Sequence, residues 1–103
     1  MITAIVNFQL PADTDRDTAK ALFEASVPRF QGAAGLARKY YLFDPETKVG
    51  GGVYLWETKA AAEAMYSGAW RSSIVERFGN EPTIRYFETP VIVDNTLVAQ
   101  AAE

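Results

Sequence analysis

Apolar and polar residues alternate from Ile2 to about Gln9, and Pro11 closes the run, which predicts a first β-strand. The period then changes. Asp13-Thr14-Asp15-Arg16-Asp17 supplies capping oxygens and negative charge where a helix N-terminus uses both. Ala19, Leu22, Phe23, Ser26 and Phe30 follow at helical spacing, which predicts a helix with one buried stripe. Pro28 has no amide to donate and should end or tighten the last turn; Gly32 and Gly35 bracket the exit. Leu36 to Asp44 reads as a second strand. In Asp44-Pro45-Glu46-Thr47-Lys48, Asp and Pro hold the opening positions of a type I turn, so a third strand from Val49 to Glu57 returns beside the second as a hairpin. Thr58 can cap a helix whose run Ala60-Ala61-Ala62-Glu63-Ala64-Met65 has high intrinsic propensity, and Gly68 divides that helix in two. The second piece sets Trp70, Ile74 and Phe78 on one face and ends at Gly79-Asn80, residues suited to a left-handed cap. Thr83 to Asp94 is expected to form a long last strand, bent at Pro90.

The order β-α-β-β-α-β predicts an α+β domain over residues 1–95, a split βαβ unit with an antiparallel sheet covered on one face by helices. Residues 96–103 read as a loose, flexible C-terminal tail. The uncovered face is the difficulty. Tyr54 and Trp56 alternate with Val53 and Leu55, so neither face of the third strand is built for water. A second copy of the chain, paired as an isologous homodimer, would cover it.

Composition narrows the chemistry. The 103 residues suffice for one core. With 10 basic against 13 acidic side chains the net charge is −3, which offers no footprint for nucleic acid or for an anionic membrane surface. No segment approaches the roughly 20 apolar residues of a membrane span, and MITAIVNFQL lacks the basic stretch and long apolar run of a secretory signal. A cytoplasmic location is the expectation, and the absence of cysteine is compatible with it. The chain also has no histidine, so the usual general base, haem ligand and most zinc sites are absent, leaving Lys, Arg, Tyr, Trp, amides and carboxylates.

No phosphate loop, dinucleotide fingerprint or nucleophile elbow is present. Gly50-Gly51-Gly52 enters a strand and precedes no helix, so it reads as backbone that must bend or be closely approached. Register is more informative. If Pro45 to Lys48 form the whole loop, Lys39 lies opposite Tyr54 and Tyr41 opposite Gly52, which puts Lys39, Tyr41, Tyr54 and Trp56 on one face. A bulge of one residue would send the lysine to the other side. Among aromatics on a covered face, Lys39 would have a depressed pKa and could bind an anion or take a proton; at a sheet edge it would bury only its stem. Tyr66, Trp70 and Arg71 fall within one or two turns of each other, Trp70 as core anchor or ligand platform and Arg71 as surface charge or anion clamp. Asn7 and Tyr86 are further candidates for the polar groups that orient a ligand in an apolar pocket.

The segments Gly35-Leu36-Ala37-Arg38-Lys39-Tyr40-Tyr41, Gly51-Gly52-Val53-Tyr54-Leu55-Trp56 with Ala60-Ala61-Ala62-Glu63-Ala64, and Tyr86-Phe87-Glu88 with Val93-Asp94-Asn95 resemble the YdhR-like monooxygenase family. That family belongs to the dimeric α/β-barrel superfamily of ferredoxin-like proteins. The resemblance implies a homodimer whose two sheets pack face to face, with a pocket in each subunit between its sheet and its helices. It also implies oxygenase chemistry without cofactor, metal or flavin, in which a deprotonated aromatic substrate gives an electron to dioxygen and the protein binds, deprotonates, desolvates and orients. On this reading Lys39 is the catalytic anion stabiliser or base, with Tyr54, Trp56 and Trp70 as walls. The haem-degrading branch of the superfamily has a first-strand asparagine and a nearby tryptophan, which Asn7 and Trp70 could echo. It depends on a histidine that this chain lacks.

Three functions are therefore in view: a cofactor-independent monooxygenase acting on a small aromatic or phenolic molecule, a non-catalytic small-molecule-binding protein of the stress-response type, and a dimerisation module whose aromatics are all core. The last is favoured by a cavity below about 300 Å3, the low end for ligand pockets.

Overall fold

The computed structural model describes residues 1–96; the rest of the expected tail lies outside the described residues. Strands β1 (Ile2–Gln9), β2 (Leu36–Phe43), β3 (Val49–Trp56) and β4 (Thr83–Glu88) form one sheet, and helices α1 (Arg16–Phe30), α2 (Lys59–Met65) and α3 (Gly68–Phe78) connect them in the order expected. The strand order is β2-β3-β1-β4 and every pairing is antiparallel. Helix α1 carries the chain from β1 past the place of β3 to β2, and β3 fills the gap, which is the split βαβ arrangement. None of the described helices is long and apolar enough to cross a membrane.

Local chemistry sets the element ends. The Asp15 side chain accepts the Thr18 amide at 2.8 Å and starts α1, Thr58 accepts the Ala61 amide at 3.1 Å and starts α2, and Gly79 ends α3 at φ 83°. Pro28 does not end α1, which runs two residues further before Gly32 and Gly35 turn the chain at positive φ. Asn80 ties the exit of α3 to β1, with Gln9 N–H donating to its Oδ1 at 2.9 Å and its Nδ2 donating to Gln9 O at 2.7 Å.

The last strand is shorter than expected. It stops at Glu88, before Pro90, which has no amide to donate: Ile2 faces Glu88, and the Thr89 amide donates to the Met1 carbonyl as the final rung. Val91, Ile92 and Val93 therefore lie outside the sheet and are exposed. Asp94 then forms an ion pair with Arg38 in β2 at 2.8 Å, so the segment leaving β4 at one sheet edge spans to the other.

The helix face holds the core: Ala4, Val6 and Phe8 of β1, Tyr54 and Trp56 of β3, Ala19 and Phe30 of α1, and Tyr66, Trp70 and Ile74 from the second helical stretch. The opposite face carries Ile5, Val53, Leu55, Tyr40, Leu42 and Phe87, of which the last three are exposed. Among the described residues no element covers this apolar surface with a second layer.

Candidate functional site

The Asp44 turn determines where Lys39 goes. Asp44 Oδ1 accepts the Glu46 amide at 2.9 Å, and Asp44 N–H donates to Val49 O at 2.9 Å, so four residues make the loop. Counting back from that closure, Lys39 pairs with Tyr54 and Tyr41 with Gly52. The hairpin does contain a bulge, but between Leu36 and Arg38, beyond the lysine, so Lys39 stays on the helix face.

Lys39 reaches up between the layers. Its Nζ stands 3.4 Å from the centroid of the Phe30 ring, 3.9 Å from that of Tyr41 and 4.5 Å from that of Tyr54. Burial among these rings pulls its pKa down to about 7, and the positive charge of Arg29 adds to the effect. The ring faces act in the other direction, since an ammonium over an aromatic face is attracted to it. Tyr41 is itself held, its hydroxyl 2.7 Å from Ser26 Oγ and its ring stacked 5.1 Å from Phe23. Gly52 leaves the floor open: a methyl there would lie 3.2 Å from Lys39 Cε.

Two spaces meet at Lys39. The first is a cavity of about 40 Å3 between the sheet and helices α1 and α3, floored by Lys39, Tyr41 and Tyr54 and roofed by Phe30, Trp70 and Ile74, with Arg29 and Arg77 on its lining. It has room for roughly one water molecule and falls far below the ligand-sized chamber expected between sheet and helices. The second is an open groove of about 320 Å3 along β2, bounded by Val27, Gln31, Leu36 and Arg38. Phe30, Lys39 and Tyr41 border both. Neither lining includes a carboxylate.

Of the nine residues singled out in the sequence, Lys39, Tyr41, Tyr54 and Trp70 line the small cavity. Trp56 and Tyr66 form the next layer: Trp56 is fully buried and its indole N–H donates to Tyr66 Oη at 3.1 Å, while Tyr66 packs 4.9 Å from Trp70. Burial holds the Tyr54 and Tyr66 hydroxyls far above the ordinary tyrosine range, so both are neutral donors. Tyr86 lies beyond Tyr66 at 6.4 Å, with the Lys59 ammonium 5.3 Å from its ring centroid. Arg71 is at the surface, 3.9 Å from Glu81. Asn7 is on the other side of the sheet. It pairs with Gly51 and Thr83, whereas Ala4 pairs with Tyr54, and strand alternation sends the two sets to opposite faces. Asn7 and Trp70 thus do not face one site.

Sequence reasoning did not single out Phe30, Ser26, Arg29, Ser73 or Arg77 as site residues. Phe30 and Ser26 were legible as members of the buried stripe of α1, but nothing in their spacing said that they faced the lysine.

No family model matches the sequence, and no curated protein matches it either. Solved structures do resemble it in fold. A monooxygenase from the gene ActVA-Orf6 of Streptomyces coelicolor, solved with the ligand nanaomycin D, is 14% identical, with a TM-score of 0.60 over 89% of this chain and 89% of that one. An arginine-to-serine mutant of MhuD, solved with two manganese protoporphyrin IX bound per active site, is 17% identical, with a TM-score of 0.67 over 91% and 99%. A protein from Deinococcus radiodurans, provisionally named an antibiotic biosynthesis monooxygenase, is 12% identical, with a TM-score of 0.62 over 91% and 97%. At such identities the likeness establishes a shared ferredoxin-like fold and leaves chemistry to the site.

Proposed function

We propose that this chain is a cofactor-independent monooxygenase of the YdhR-like kind, acting on a small aromatic or phenolic substrate. The observation that supports it is Lys39, an ammonium enclosed by three aromatic rings, drawn by burial to a pKa of about 7 and bordering a ligand-sized groove without a carboxylate. At neutral pH an amine of this kind is matched to accept a phenolic proton. The ammonium it becomes remains beside the anion it has created. The anion is then the reductant for dioxygen, and the rings of Phe30 and Tyr41 orient it and keep water away.

Oxygen consumption by a panel of hydroquinones and anthrones in metal-free buffer tests this reading. Uptake in proportion to protein, above the protein-free control, is expected; none across the panel would defeat the proposal. The small volume of the cavity behind Lys39 favours instead a dimerisation module whose aromatics are all core. The other alternative is a non-catalytic binding protein of the stress-response type, which would take its ligand in the open groove. It would be recognised by a tightly held apolar molecule in native mass spectrometry with no turnover.

The assembly we propose is a homodimer joined through the open sheet face. Tyr40 is 55% exposed there and Phe87 41%, and Val91 and Val93, just past β4 in the chain, are 77% and 79% exposed. Large apolar side chains exposed on one sheet face suit an interface, and a twofold axis would cover them with their own copy. Sedimentation equilibrium should return twice the 11.4 kDa chain mass. A single-chain mass at all loading concentrations would count decisively against it. The absence of cysteine suits a reducing cytoplasm, which we propose as its location.

A further inference from the structure

We propose that the small cavity behind Lys39 is the dioxygen site and holds the superoxide formed there, while the aromatic substrate lies outside it in the groove along β2. The inference rests on the oxygenase reading of Lys39 and assigns the two reactants to two separate spaces.

Size makes the first distinction. A space of about 40 Å3 takes a diatomic molecule or one water and no ring, whereas the groove of about 320 Å3 reaches the range of small-molecule pockets. Lining makes the second. Phe8, Phe30, Tyr54, Trp70 and Ile74 present mostly apolar surface to the cavity, and apolar cavities admit uncharged gases readily. Charge makes the third. Lys39, Arg29 and Arg77 line the cavity and no acid does, in a chain whose net charge is −3. Neutral dioxygen gains little from three cations, but its one-electron reduction product is an anion, so the surroundings favour the product of electron transfer over the reactant. Position makes the fourth. Phe30, Lys39 and Tyr41 border both spaces, so donor and acceptor are separated by one layer of side chains.

The chemistry closes without an external reductant. An activated CH2 or phenolic substrate loses a proton to the Lys39 amine, and its anion passes one electron to dioxygen, leaving a substrate radical and superoxide. Superoxide then passes the border that the two spaces share at Lys39 and couples with the radical in the groove through a new C–O bond, giving a peroxide anion that takes the proton back from the Lys39 ammonium. Cleavage of the O–O bond with loss of water leaves a carbonyl, so one CH2 and one O2 become one C=O and one H2O.

Xenon is the probe. Under xenon pressure the Trp70 indole and Ile74 methyl resonances of the wild-type protein should shift, and Ser73→Ala should behave likewise. Ser73→Leu, which fills the cavity from α3, should lose that response and raise KM for dioxygen by about fivefold or more, leaving the Kd for 2-naphthol unchanged by fluorescence titration. Ile74→Phe, read at Trp70, serves in its place if Ser73→Leu does not fold. Absence of a xenon response in the wild type, or its persistence in the filled variant, overturns the inference. Oxygen uptake with KM for dioxygen unchanged in Ser73→Leu overturns it while leaving the oxygenase reading intact. Xenon binding with no oxygen uptake on any substrate overturns both.

Discussion

Lys39→Met is expected to lower oxygen uptake by about a hundredfold or more, the scale of a lost general base, and at the same time to stabilise the fold in mild acid. Both effects follow from one burial. In the wild type, kcat/KM should rise with pH through about 7 and then level off, because the amine must be neutral to accept the substrate proton. The stability effect has its own sign. The folded pKa of about 7 lies below the 10.5 of a free lysine, so between those values the unfolded chain holds a proton that the folded chain has released. Stability from this group therefore increases with pH across that window, and below it the full cost of the buried ammonium is present. Methionine fills similar volume without the charge. Its advantage should be about 1–3 kcal/mol near pH 6, allowing for partial exposure of the lysine, and should fade by about pH 10. Urea denaturation of both proteins at the two pH values measures it. A difference that does not vary with pH would mean that the ammonium is solvated.

Gly51→Ala should be the most damaging single substitution in the sheet. Gly51 has φ +148°, a conformation that side chains rarely adopt, and a methyl built on it would sit 1.8 Å from the Val6 carbonyl oxygen of the neighbouring strand. Backbone cannot yield there without parting β1 from β3, so a loss of about 4 kcal/mol or more is expected. The adjacent Gly52→Ala meets Tyr40 O at 3.1 Å and Lys39 Cε at 3.2 Å, and should fold while displacing the lysine. Thermal melts of the two variants make the comparison. A cooperative, wild-type-like transition for Gly51→Ala would refute this account of the glycine run.

These two predictions concern the parts of the molecule that were most legible in the chain. The four-residue loop closed by Asp44 allows the register to be counted, and the count puts Lys39 opposite Tyr54, where the structure has it. The glycine run was readable as closely approached backbone, because three residues without side chains have no other use in a central strand. The face that Asn7 occupies was also in the pattern. Thr3, Asn7 and Gln9 share one parity in β1, and Ala4, Val6 and Phe8 the other, but Ile5 among the polar set blurred the alternation. The overlong last strand has a different cause. Its composition is β-rich to Val93, yet a strand lasts only as long as its ladder, and Pro90, one step past the Thr89 rung, has no amide to continue it. The water-sized cavity could not be read at all, because its volume depends on how Phe23, Phe30 and Tyr41 interlock across two layers, and periodicity does not carry that information.

The ion pair of Asp94 with Arg38 has a mechanical side. Arg38 is part of the rim of the groove in which Lys39 lies, and Asp94 is reached through a segment that departs from the far edge of the sheet. The segment that follows β4 is thereby pinned at the rim of that groove. Loss of the Arg38 side chain would therefore loosen the rim of the groove and the crossing segment together.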